Sequence, residues 1–214
     1  MYKHPILNRE NMTPQEALDI LIEGNNRFMN NYVANKDMQT LVQIVKEKQH
    51  PFASFLSCSD SRAPVELLFD QALGDIFSVR LAGGIASDKA IGSLEFSSKY
   101  LDSKLIVVMG HSSCGAVKAA CDDFKDGHIG EIINMIKPAI RHEKTITNPE
   151  DRTSKNPEFV EKINELNVRY QIDTIIRLSD IVDEMLEKHQ LGIIGGMYDL
   201  NTGKVNFLED TFVS

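Results

Sequence analysis

Three short apolar runs, Phe52 to Leu56, Ile76 to Leu81 and Lys104 to Met109, constrain the fold of this chain more than any other feature. Each has the length of a strand, and the stretch KAIGSLEFSSKYL between the second and third has a helical pattern. The first run stops at the polar cluster Ser57 to Arg62, as a buried parallel strand does at its carboxyl end. Strands alternating with helices form βαβ units, so the expected fold is α/β, with a mostly parallel central sheet flanked by helices. The closing segment LGIIGGMYDLNTGKVNFLE has two alternating apolar runs about an Asn201-Thr202-Gly203 turn. It predicts an antiparallel C-terminal edge hairpin.

Other segments supply the helices that cover such a sheet. From Thr13 the sequence TPQEALDILIEGNNRFMNN has an N-cap residue, proline at the first helical position, Glu16 three residues on, and apolar residues at 17, 18, 21, 22 and 28. LVQIVKEKQ predicts a second helix, the run Ala116 to Ala120 a third, and Pro157 to Lys188 a single long one. The polar segment HEKTITNPEDRTSKNPE reads as a surface connection. There is no internal repeat, and 214 residues that are 42% hydrophobic suit one domain spanning 1–214.

Charge narrows the partners. With 23 basic against 31 acidic residues and a formal charge of -8, the chain lacks the electrostatic footprint for nucleic acid or an anionic membrane, so a small-molecule substrate is expected. The amino terminus has neither the basic flank nor the apolar run of a signal peptide, and no apolar segment approaches about 18 residues. A soluble, cytoplasmic protein is the expectation. Of the three cysteines, Cys121 lies in a run of small apolar residues and reads as a structural thiol.

Loops at the carboxyl ends of parallel strands converge, so Cys58, past the first strand, can meet His111 and Cys114 on the turn leaving the third. Two thiolates and an imidazole favour zinc, and three protein ligands leave a fourth tetrahedral position for water. Zinc lowers the pKa of such a water to about 7, a magnitude known from zinc hydrolases and lyases generally. In Cys58-Ser-Asp-Ser-Arg62 the guanidinium of Arg62 can hold the Asp60 carboxylate with two hydrogen bonds. Asp60 could then orient a zinc-bound hydroxide or, released by Arg62, become the fourth ligand. The spacing alone also allows three buried core residues with no metal, or a Cys58 nucleophile with Arg62 holding an anion.

Taken together, Cys58-Ser-Asp-Ser-Arg62, His111-Ser-Ser-Cys114-Gly115, Arg80-Leu-Ala-Gly-Gly84, Gly92-Ser-Leu-Glu95-Phe and Tyr198-Asp-Leu-Asn-Thr-Gly203 resemble the β-class carbonic anhydrases, in matching order from about Gln49 to Leu208. The resemblance implies one zinc ion per subunit on Cys58, His111 and Cys114, an orienting Asp60/Arg62 dyad, and reversible hydration of carbon dioxide to bicarbonate and a proton. It further implies a narrow apolar pocket near Phe77, Ala82 and Gly83, with Phe96 a further candidate. Gln49 matches a glutamine that hydrogen-bonds substrate in a partner's site. A homodimer or homotetramer is implied, with residues 1–45 as a helical arm on the neighbour; the apolar face around Leu18, Leu21 and Ile22 would serve that purpose or could equally pack on its own sheet.

Some positions depart from the family's pattern. Leu81 and Gly84 stand where many members have asparagines, and Phe55 where bicarbonate-inhibited members have tryptophan, which argues against their allosteric anion site. His50, His128 and His142 are the available proton-relay candidates. Two other readings use the same residues: a zinc hydrolase acting on carbonyl sulfide or carbon disulfide, and a non-enzymatic zinc-stabilised interaction module.

Overall fold

Thr13 opens the first helix, α1 (Pro14–Met29), in a computed structural model that describes residues 9–214; residues 1–8 of the expected arm lie outside the described residues. The Glu16 N–H donates to the Thr13 hydroxyl at 3.2 Å and the Thr13 N–H to the Glu16 carboxylate at 2.8 Å, the reciprocal cap that TPQE predicts. The second helix, α2 (Met38–Val45), is capped by Asp37 and ends before the KEKQ segment expected to continue it. There follow β1 (Ala53–Ser57), the single turn α3 (Val65–Leu68), β2 (Ile76–Arg80), α4 (Asp88–Tyr100), β3 (Leu105–His111) and α5 (Gly115–Cys121).

Two helical expectations change. Helix α6 (Ile129–His142) is an addition to the expected elements and runs through the buried Pro138, a residue whose ring usually marks a break. The single helix expected over 157–188 is two, α7 (Pro157–Leu178) and α8 (Asp180–Glu187). Ser179 between them takes an extended φ of -118° and ψ of 97°. Its N–H still closes α7, its hydroxyl caps α8 by accepting from the Val182 N–H at 3.1 Å, and the same hydroxyl donates to Glu95 at 2.6 Å. A serine that satisfies both helix ends makes the break inexpensive, and hydrophobic periodicity carries no sign of it.

The hairpin of β4 (Gly192–Tyr198) and β5 (Val205–Val213) completes a sheet of order β2-β1-β3-β4-β5. All neighbours are parallel except β4 and β5. In β3, Leu105, Val107 and Met109 face a core shared with Phe55, Phe69, Leu18 and Leu21, whereas Ile106 and Val108 face one built from Ile91, Leu94, Val168 and Ile172. This period-two partition explains why the central strands read as unbroken apolar runs: both faces are covered. Each fully buried large side chain contributes about 1.5–3 kcal/mol.

The apolar face of α1 is therefore directed at its own sheet, with Leu18 6% and Leu21 0% exposed; of the face expected to meet a neighbour, only Ile22 remains at the surface. Asn25 fastens the helix at that place. Its side-chain amide donates to the carbonyls of Leu68 and Gly203, and its oxygen accepts from the Val205 N–H at 2.8 Å. Among the described residues, no helix is long and apolar enough to cross a membrane.

Helix α7 lies close on the sheet because glycines face it: a Cβ on Gly110 or Gly195 would come within 2.8 or 2.9 Å of Val168. At its amino-terminal side, the polar connection after α6 is closed by Glu143. That buried carboxylate accepts from the Thr145 N–H at 2.7 Å, the Ile146 N–H at 3.1 Å and Arg152 Nη1 at 2.5 Å. Burial opposes its ionisation, but these donors outweigh burial and hold the carboxyl down to about 2. Since the folded value is depressed, the stabilisation is complete above the unfolded value of about 4.5 and disappears as pH falls through about 2. Glu143→Gln is expected to lower the unfolding free energy near neutral pH by about 3 kcal/mol. Denaturant titrations at a series of pH values should also show a shallower acid loss than in the wild type.

Candidate metal centre

The chain leaves β1 to build β2 on one flank and then crosses back to build β3 on the other, so a crevice opens at the carboxyl ends of β1 and β3. Cys58 is the residue after β1. His111 is the last residue of β3, paired in register with Tyr198, and not on the turn beyond it as the sequence suggested. Cys114 is the N-cap of α5. The potential ligand atoms of these three buried residues lie within 4.8 Å of one another.

Each side chain is held by its local backbone. Ser113 takes a left-handed φ of 57°, which folds the turn tightly, and its N–H donates to Glu161 of α7 at 2.8 Å. The Ser112 N–H donates to the Tyr198 carbonyl at 2.9 Å, and the Ser112 hydroxyl accepts from the Leu200 N–H at 3.0 Å. His111 Nδ1 is 3.0 Å from the Ser112 carbonyl, which can only accept, so the ring proton sits on Nδ1 and the lone pair on Nε2. Among the described residues, that buried Nε2 has no hydrogen-bond partner. Arg80 pins the other ligand segment, donating to the carbonyls of Cys58 at 3.1 Å and Asp60 at 2.6 Å.

The donor set fits zinc. Two thiolates about 2.3 Å from one tetrahedral ion lie about 3.8 Å apart; Cys58 Sγ and Cys114 Sγ are separated by 3.9 Å. The hydrogen bond from the Cys114 thiol, against the opposing effect of burial, brings the Cys58 thiol down to about 4. The same bond and burial push Cys114 up, so without a cation the pair retains one proton. Burial disfavours a charged His111, but the neighbouring Cys58 thiolate more than offsets it and raises the imidazole. A divalent cation would replace this shared proton and allow both sulfurs to ionise.

Asp60 and Arg62 form the expected two-toothed pair, Nε to Oδ1 at 2.9 Å and Nη2 to Oδ2 at 2.7 Å, with the Arg62 N–H adding a third bond to Oδ1. The guanidinium holds Asp60 well below the usual carboxylate range. Asp60 Oδ2 lies 3.9 Å from His111 Nε2, so the carboxylate borders the metal cluster.

Ala82 and Gly83 also reach this crevice, on a 3-10 turn whose Gly83 N–H donates to Cys58 Sγ at 3.4 Å. Phe77 and Gln49 do not join the cluster within this chain. Phe77 pairs with Ser54, three residues before the end of β1, and its ring lies 6.5 Å from that of Phe96 on α4. Gln49 is exposed on the connection between α2 and β1. Phe55 packs in the core, 5.1 Å from the Phe69 ring. The half-buried Cys121 stays outside the cluster, its thiol pushed up to about 12 by burial. His128 and His142 are exposed at the two ends of α6.

Comparison with known proteins agrees with this architecture. A family model described as carbonic anhydrase matches residues 53–205, from the start of β1 to the start of β5. Carbonic anhydrase 2 of Mycobacterium tuberculosis is 31% identical over 204 residues, covering 91% of this chain and 92% of that protein. A carbonic anhydrase of Mycolicibacterium smegmatis is 32% identical over 206 residues, covering 91% and 93%. The chain belongs to the β-class carbonic anhydrase family.

The fold of this carbonic anhydrase is shared with the Coccomyxa β-carbonic anhydrase solved with acetazolamide, at a TM-score of 0.69, 28% identity and coverage of 89% and 86% of the two chains. One of two tetrameric β-carbonic anhydrases of the ascomycete Sordaria macrospora gives 0.68 at 24% identity, covering 89% of this chain and 96% of that one, a likeness of fold. Reversible hydration of carbon dioxide is the family's reaction. The supports from Arg80, Glu161 and Ser112 were not anticipated as parts of the site. Arg80 and Ser112 were visible only as members of matched motifs, and Glu161 has ordinary surroundings in the sequence.

Gly83 tests how tightly the crevice is built. It has a φ of 78°, and a Cβ there would come within 2.7 Å of Ile136 Cδ1. Gly83→Ala is expected to lower stability by about 1–3 kcal/mol in denaturant titration, combining left-handed strain with overpacking.

Proposed function

We propose that this β-carbonic anhydrase interconverts carbon dioxide and bicarbonate at the crevice of Cys58, His111 and Cys114, with Asp60 and Arg62 as its orienting pair. The observation that carries this reading is the meeting of two sulfurs 3.9 Å apart with the unpartnered Nε2 of His111. These three residues would hold one zinc ion. When bound, that ion supplies Lewis acidity, which lowers the pKa of a coordinated water to about 7, a figure established on carbonic anhydrase itself.

The chain's own residues supply orientation. Ionised Asp60 can only accept hydrogen bonds, and Arg62 fixes its plane with two of them. It accepts the O–H of the attacking oxygen and thereby turns that oxygen's free lone pair toward the carbon of substrate. Because Arg62 keeps it ionised, Asp60 serves as an acceptor of a hydrogen bond and does not take up the proton that hydration releases. The half-buried Ala82 and the Gly83 backbone offer an apolar wall beside the crevice, suited to a small uncharged gas.

A second copy would complete the pocket. Gln49 and Phe77 are remote from their own chain's cluster, and exposed apolar residues accompany them: Met38, Val42 and Ile44 of α2, and Phe96 and Tyr100 of α4. In a homodimer or homotetramer, the segment 30–45 would form the arm, since the apolar face of α1 is covered by its own sheet. Gln49 and Phe77 would then serve the neighbour's substrate. A cytoplasmic setting suits two unpaired sulfurs at this separation, because a reducing compartment keeps them available to metal.

Metal analysis and stopped-flow hydration on the same dialysed samples test the site. Cys58→Ser and His111→Ala should each lose most of the zinc and the activity. Asp60→Asn and Arg62→Ala should retain zinc but lose about 10-fold or more in kcat/KM, as a misaligned nucleophile does; wild-type rates in either dyad variant would contradict the orienting role. Faster turnover of carbonyl sulfide than of carbon dioxide would replace the substrate reading. For the assembly, Val42→Asp with Ile44→Asp is expected to shift sedimentation toward monomer.

A further inference from the structure

One face of α7 carries two polar residues into a buried position behind the crevice: Asn167 is 4% exposed and Gln171 0%. Buried amides are costly unless hydrogen-bonded, and the partners these two find are specific. Asn167 Nδ2 donates to the Gly83 carbonyl at 2.9 Å. Gln171 Nε2 donates to Asn167 Oδ1 at 2.9 Å, fixing which way that amide faces, and Gln171 Oε1 accepts from the Ala86 N–H at 2.9 Å. A further, longer bond runs from Gln171 Nε2 to the Met135 carbonyl of α6 at 3.3 Å. Both ends of the 83–86 segment are thereby tied to one helix, and that helix is itself held close to the sheet over Gly110 and Gly195.

Gly83 is the link between this amide pair and the metal cluster. Its carbonyl is held by Asn167, and its N–H points at Cys58 Sγ at 3.4 Å. A hydrogen bond to a thiolate ligand draws electron density from the sulfur and fixes its direction, and such outer partners change metal affinity by about 10–100-fold. The Gly83 N–H cannot choose this direction alone. Its residue has a left-handed φ of 78° and no side chain to anchor it.

We propose that Asn167 and Gln171 are positioning residues for Cys58: their paired side-chain amides hold the Gly83 turn so that its N–H donates to the sulfur that binds metal. Neither residue touches the reacting atoms. This inference rests on the assignment of Cys58 as a metal ligand, and it adds a helix distant in sequence to the apparatus that tunes that ligand.

Cobalt(II)-substituted protein gives a readout independent of turnover, because the energy of the thiolate-to-cobalt charge-transfer band follows electron density on sulfur. In Asn167→Leu, which keeps the branched outline of the side chain and removes its amide, the band is expected to move to longer wavelength with its intensity retained. Zinc transfer to a chelator should become about 10-fold faster. Gln171→Met, which leaves Asn167 without its brace, should move both in the same direction by less, and serves if the first variant does not fold. Val182→Ala, a cavity in the α8 core, controls for lost stability alone.

Wild-type spectra and zinc transfer in the folded amide variants would overturn the proposal, as would equal changes in Val182→Ala. If the wild-type protein has no thiolate-to-cobalt band, or Cys58→Ser leaves it intact, the ligand assignment fails first and the positioning role with it.

Discussion

Two sulfurs 3.9 Å apart in an apolar cluster cannot both ionise without a cation, and much of the surrounding structure serves to keep them there. The separation is a property of the whole sheet. Cys58 ends one strand, Cys114 begins a helix after another, and parallel pairing of β1 with β3 brings those ends together. Register is what transmits the constraint, since a slip of one residue would turn each strand's side chains to the opposite face. The different side-chain fit on the two faces of β3 opposes such a slip, so packing remote from the crevice bears on its geometry.

Around the sulfurs, charge is arranged in graded exposure. His111 is fully enclosed, with its tautomer chosen by a backbone carbonyl; Asp60 borders the cluster; the Arg62 side chain is 55% exposed. The buried end therefore gathers donor atoms that could hold a cation, and the solvent end carries an acceptor of fixed direction. Surface ion pairs are generally weak. In the Asp60/Arg62 pair three hydrogen bonds converge on one carboxylate and fix its direction, and its contribution to stability is secondary.

Much of this was legible in the sequence for identifiable physical reasons. Strands covered on both faces read as continuous apolar runs, and the capping box at Thr13 is a local pattern with a local cause. The three ligand candidates followed from their position at strand ends, and resemblance supplied the substrate. What was not legible depended on tertiary choice. Ser179 divides α7 from α8 because Glu95, from an element 84 positions earlier, accepts its hydroxyl. Helix α6 continues through Pro138, a residue that by itself signals a break. The face of α1 had two possible uses, and the packing of Leu18 and Leu21 against Phe55 and Phe69 decides for the chain's own sheet. Asn167 and Gln171 resemble any polar residues on a helix until the turn they meet is known.

The fastening at Asn25 has a consequence for how such a chain is made. Its side-chain oxygen waits for the N–H of Val205, 180 positions later, and its amide for the carbonyl of Gly203. A chain still emerging from the ribosome can form α1 early, from local signals alone. It cannot seat that helix in its final bonding pattern until nearly the last strand has appeared. Long-range closure of this kind slows folding and lengthens the time that apolar surface is exposed. The apolar face bearing Leu18 and Leu21 can meet Phe55 and Phe69 once the first half of the chain is made, whereas the polar fastening beside it stays open until the end.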